Sequence, residues 1–148
     1  MIRNWALAAF VAAGAVGAIG SGADASAASR PFKGTAAGAI TGATSPVDLI
    51  VDYTGSATHL GSFTRHELVH INADGTLVGT IVFVAANGDE LDVDVAGQFT
   101  SADGSTIAGT YAFTGGTGRF DDATGTANFT GTLVNGVVSV SFEGTIDY

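Results

Sequence analysis

Everything past residue 31 points to an all-β protein, an eight-stranded antiparallel up-and-down barrel with one short helical turn near Arg119–Thr124. Three observations carry this. Thr-rich runs alternate apolar and polar residues with a period of two, the pattern of a half-buried strand. Turn signals separate them at near-regular intervals: Ala73-Asp74-Gly75, Asn87-Gly88, Ala102-Asp103-Gly104 and Asn135-Gly136. No segment in this region keeps a helical period over ten residues.

The chain opens on an address. Arg3 precedes an uncharged apolar run from Trp5 to Ile19, and Ala23-Asp24-Ala25 and Ala25-Ser26-Ala27 both fit a cleavage site of small residues. The run is shorter than the roughly 20 residues a membrane span needs and is diluted with Gly and Ala. A signal peptide over residues 1–27 is therefore expected, followed by one barrel domain over 28–148. The product is expected to be exported, to a periplasm or outside the cell.

About 120 residues then remain, enough to bury roughly two thirds of the unfolded surface. No cysteine is present, so packing and closed hydrogen bonding must hold the fold. The 14 Asp and Glu against 5 Lys and Arg give a net charge of −9. That excludes nucleic acid and anionic membrane as natural partners, since both demand a basic surface.

The strands are expected near Phe32–Thr41, Asp48–Thr58, Ser62–Ile71, Thr76–Ala85, Asp89–Thr100, Thr106–Thr114, Thr126–Leu133 and Val137–Tyr148. The last alternates well, with Val138, Val140, Phe142, Ile146 and Tyr148 opposed by Ser139, Ser141, Glu143, Thr145 and Asp147. The fifth sets Leu91, Val93, Val95 and Phe99 against Asp92, Asp94 and Gln98. Strands this long expose reactive edges unless the sheet closes on itself, which favours a barrel over a β-sandwich.

Between the sixth and seventh strands lies Gly115-Gly116-Thr117-Gly118-Arg119-Phe120-Asp121-Asp122-Ala123-Thr124-Gly125. Its glycines mark backbone that needs positive φ or close approach. Phe120 and Ala123, three apart, would share one face of a helical turn and plug an end of the sheet. Arg119 is expected either to gate the barrel mouth or to pair with Asp121 or Asp122.

This segment resembles the Gly-Gly-(Thr/Ser)-Gly-x-Phe-x-x-Ala-x-Gly run shared by plant dirigent proteins and allene oxide cyclases. Small secreted bacterial proteins of the same calycin-like barrel type carry similar Thr-His-Leu-Gly-x-Phe-Thr runs, and Thr58-His59-Leu60-Gly61-Ser62-Phe63-Thr64 matches them. The resemblance spans Pro31 to Tyr148, with its sharp motifs in under twenty residues. It implies an eight-stranded barrel able to hold a small apolar ligand, and by analogy with the plant proteins a dimer or trimer. It implies no catalytic residue here, because the glycine motif is structural.

His66-Glu67-Leu68-Val69-His70 reads H-E-x-x-H, the zinc-protease signature. On a helix the two histidines would lie about 6 Å apart and could share one zinc. In a strand the same spacing spans about 13 Å, too far for two ligands about 2 Å from one metal. The surrounding residues are strand-like, so the match is read as fortuitous and no metal or other cofactor is expected. Asp89, Glu90, Asp92 and Asp94 are acidic enough for calcium but read as a solvated outer face, since such a site wants six to eight oxygens from a loop.

The same strand alternates Phe63, Arg65, Glu67, Val69 and Ile71 against Thr64, His66, Leu68 and His70. With the apolar set inward, Arg65 and Glu67 enter the barrel about 7 Å apart. A buried charge pair is costly and suggests a pocket that orients a polar group on a ligand. The preceding strand adds Tyr53 and His59 to that candidate lining. The bland alternative is a bulge near Gly61 or strand ends that leave both charges in water at the rim.

The residues thus favour an exported barrel that binds a small, largely apolar molecule without catalysing a reaction. Two alternatives stand beside it. One is a cofactor-free cyclase or isomerase in which Arg65 and Glu67 steer an intermediate. The other is a filled barrel with an extracellular structural or adhesive role.

Overall fold

The computed structural model describes residues 29–148; the expected leader over 1–27 lies outside the described residues. Eight strands follow one another, β1 Arg30–Ser45, β2 Asp48–Ala57, β3 Gly61–Ile71, β4 Thr76–Val84, β5 Glu90–Phe99, β6 Thr106–Gly116, β7 Thr124–Val134 and β8 Val137–Asp147. Each pairs antiparallel with the next, and β8 returns to β1 from Ala39↔Val137 to Arg30↔Ile146, which closes the barrel. The expected all-β up-and-down barrel is the observed one. β1 runs four residues past its expected end at Thr41, because register shifts at Ile40/Gly42 and Ala43/Ser45 absorb the irregular stretch and let pairing with β2 continue.

The period-two pattern sorts the faces as the sequence implies. Leu91, Val93 and Val95 on β5 and Val138, Val140, Phe142 and Ile146 on β8 are buried. Outward positions carry hydroxyl and charged groups such as Thr35, Thr54, Thr64, Thr130 and Ser141, all exposed. This is apolar inside and polar outside, the reverse of a barrel that faces lipid. Among the described residues no helix is long and apolar enough to cross a membrane.

The interior divides into two halves. One half is filled by aromatic rings, with centroids 4.8 Å apart for Phe32 and Phe113, 4.9 Å for Phe63 and Phe83, and 5.4 Å for Phe32 and Phe142. Edge-to-face and offset pairs of this kind each add about 0.5–1.5 kcal/mol beyond the area they bury. The end of this half is plugged by a 3₁₀ turn over Gly118–Phe120, with Phe120 and Ala123 both buried as expected. Thr117 ties the plug to β5, donating from its backbone N–H to the Glu90 carbonyl and accepting from the Glu90 N–H, both at 2.9 Å.

Gly118 sits at φ 58°, and a Cβ there would run into the Asp89 carboxylate. Glycine is thus required at the start of the plug. Arg119 neither gates the mouth nor pairs with its neighbours Asp121 and Asp122. It reaches back to Asp89 (Nε to Oδ2, 3.7 Å) and donates to the His59 carbonyl. The turn points its side chain toward the β2–β3 and β4–β5 connections. β1 begins and β8 ends at this plugged end.

Candidate functional site

The other half of the barrel opens to solvent. Ile40, Leu49, Val69, Ile71, Leu77, Phe99, Leu133 and other apolar residues ring the mouth. They come from strand ends whose inward positions the alternation makes apolar. Together with Tyr53, Arg65 and Glu67 they line one cavity of about 60 Å³.

These three residues arrive together through register. Tyr53 on β2 stands opposite Arg65 on β3, and Glu67 follows two residues later on the same face. Arg65 is 2% and Glu67 5% exposed, the two buried charged residues among those described. Arg65 Nη2 donates to Glu67 Oε2 at 3.3 Å, and the Tyr53 hydroxyl donates to Glu67 Oε1 at 2.9 Å. Both carboxylate oxygens are thereby engaged. The guanidinium carbon lies 4.2 Å from the Tyr53 ring centroid, a cation–π contact that helps offset its lost hydration. β1 makes room for the Tyr53 ring with Gly38, its cross-strand partner, where a Cβ would stand 2.8 Å from Tyr53 Cδ2.

A fourth member was not singled out from the sequence. Arg65 Nη1 donates to the Tyr111 hydroxyl of β6 at 2.8 Å, and Tyr111 is fully buried. The alternation of β6 places Tyr111 on the inward face beside Phe113. Nothing in one strand's pattern tells which residue it meets across the lumen.

Burial sets the proton affinities. It drives the Tyr53 phenol well above its ordinary value, with the nearby Glu67 charge adding to the shift. It pushes Tyr111 up to about 12, against the opposing pull of Arg65. For Arg65 burial works against the charge. The electrostatic influence of Tyr111, Glu67 and Tyr53 outweighs it and raises the guanidinium above its usual range. Neutral phenols around a guanidinium–carboxylate pair give a polar floor whose formal charges cancel.

His59 does not join this group. β2 ends at Ala57, and His59 lies in the following turn with φ 67°, so strand alternation no longer directs it inward. Its Nε2 lies 2.8 Å from the Pro31 carbonyl and its Nδ1 2.9 Å from the Tyr148 hydroxyl, at the plugged end.

The H-E-x-x-H run is split by the strand. His66 and His70 face outward and bond Asp52 and Asp48 at 2.7 and 2.6 Å, while Glu67 faces inward. Thr41 first and His66 second hold Asp52 below the usual carboxylate range; Ser45 and His70 do the same for Asp48. The Asp89 carboxylate is taken up by Asn87 Nδ2 and by Arg119 in the turn and plug, and the Glu90 backbone N–H bonds the Thr117 hydroxyl. A broader depression of about 1290 Å³ runs along the outer face past Thr35, Thr54, Thr64, Thr130 and Ser141. Those hydroxyls are exposed, so water already serves them, and the chemistry converges instead on the smaller interior cavity.

The barrel is similar to the solved structure of a pterocarpan synthase dirigent protein, with a TM-score of 0.54 and 14% sequence identity over 86% of this chain and 89% of that one. At this identity the likeness is one of fold. No protein-family model matches the chain, and no curated protein matches it.

Proposed function

We propose that this barrel is an exported binding protein that holds one small, largely apolar molecule at its open mouth. The observation that carries the reading is the convergence of Arg65, Glu67 and Tyr53, buried and hydrogen-bonded, at an apolar cavity. Apolar walls with a few fixed polar groups are the usual make-up of a small-molecule site. The apolar leader run before Ala27 supports export. The filled structural barrel accounts for the aromatic half but not for buried charges under an open rim. A cofactor-free cyclase or isomerase is the second reading, favoured by a carboxylate that both a phenol and a guanidinium contact.

Native mass spectrometry of the protein purified from its own secretory compartment tests the reading. A stoichiometric organic adduct supports a ligand-holding barrel and gives the chemical class. A bare polypeptide mass across preparations overturns it in favour of the filled structural barrel.

A further inference from the structure

One hydrogen-bond donor at the floor of the cavity goes unanswered. A guanidinium offers five N–H donors and accepts nothing. Arg65 places Nη1 on Tyr111 and Nη2 on Glu67, yet its Nε is buried with no partner. Both Glu67 oxygens already accept, from Tyr53 and from Arg65 Nη2, and neither is bonded to Nε. A buried donor left unanswered is unfavourable, so the chemistry that completes this floor is an acceptor atom.

Charge narrows the acceptor. Arg65 and Glu67 already cancel, so a carboxylate or phosphate would add an uncompensated charge to a buried site. A hydrocarbon would leave the donor as it is. Size limits the depth: Leu49, Val69, Leu77 and Leu133 line the same cavity, whose volume of about 60 Å³ takes only the end of a molecule, so the rest must extend past this apolar rim. We propose that the site takes an uncharged lipophilic molecule whose inner end is a hydrogen-bond-accepting oxygen, a carbonyl or ether, presented to Arg65. This rests on the mouth being a binding site at all.

Three probes of matched size separate the cases: acetophenone with a neutral acceptor, benzoate with a charged one, and ethylbenzene with none. Each is titrated into the purified protein while methyl resonances of Leu77 and Leu133 are followed by NMR. Acetophenone is expected to bind at least tenfold more tightly than either of the others and to shift these mouth methyls. In an Arg65→Met/Glu67→Met variant, verified as folded by circular dichroism, that preference is expected to vanish. Ethylbenzene binding as well as acetophenone would overturn the proposal and leave the binding site standing, with water answering the Arg65 donor. Benzoate binding most tightly would overturn it in favour of an anionic ligand. No mouth shift with any probe would overturn the binding reading itself, and the proposal with it.

Discussion

Arg65 on β3 donates to the Tyr111 hydroxyl on β6 at 2.8 Å, a hydrogen bond that crosses the barrel between strands that are not neighbours in the sheet. It ties two opposite walls at the level where the filled half meets the open half. Tyr111 also stacks on Phe129 of β7 (4.8 Å, 16° between planes), so the charged pair is fixed to the aromatic packing on the far side. The floor of the mouth is therefore a rigid partition.

Removing one charge should be worse than removing both. Glu67→Gln keeps the shape but leaves the guanidinium buried and unpaired, and is expected to cost about 3 kcal/mol, a fall of about 10 °C in Tm. Arg65→Met/Glu67→Met replaces the pair by apolar groups but leaves the Tyr53 hydroxyl without its acceptor, and is expected to cost about 1–2 kcal/mol, less than the single variant. Urea denaturation of the three proteins decides it. A double variant as unstable as the single one would mean the pair itself stabilises the fold.

The buried phenols predict alkaline sensitivity. A folded Tyr111 that titrates near 12, against an ordinary value of 10, keeps its full contribution below pH 10 and loses it as pH rises to about 12. Tyr53, also raised, acts in the same direction. Thermal melts from pH 8 to 12 should stay level to about pH 10 and then fall. The slope should flatten in Tyr53→Phe/Tyr111→Phe, and an unchanged slope there would assign the loss to other groups.

The plug depends on a backbone that only glycine adopts readily. Gly118→Ala combines positive φ with a clash against Asp89 and is expected to cost about 1–3 kcal/mol. Phe120→Ala empties a fully buried site and is expected to cost about 3–5 kcal/mol. Both are read from denaturant midpoints. A Gly118→Ala variant as stable as the parent would show that the turn has another conformation open to it.

Ile40 lines the cavity yet is half exposed, so its contribution should lie in binding rather than stability. Ile40→Ser is expected to change stability by no more than about 0.5 kcal/mol. It should also weaken acetophenone binding severalfold. Equal affinity with a large stability loss would place Ile40 in the core instead of the rim.

Much of this was legible from the chain. Period-two alternation places eight strands within a few residues and sets Arg65 and Glu67 on one face of β3 and Tyr53 on one face of β2, inward where the apolar set points in. The same alternation separated His66 and His70 from Glu67, which is the physical reason the zinc signature breaks apart. His59 escaped the pattern because β2 ends two residues earlier and a turn resets the direction of the side chain. Tyr111 escaped for a different reason. Which residues meet across a lumen depends on strand tilt and stagger, and these are properties of the closed barrel rather than of any one strand. The division into a filled and an open half has the same origin, since it depends on ring volumes summed over several strands.

β1 enters and β8 leaves at the plugged end, so a linker fused to the barrel at Arg30 or at Tyr148 is attached at its base. A carrier, resin or cell-surface tether attached there would hold the protein like a cup by its foot, rim outward. Copies displayed side by side would present their mouths in one direction, free of the linker. Capture reagents or sensors built from this scaffold would need no redesign of the rim.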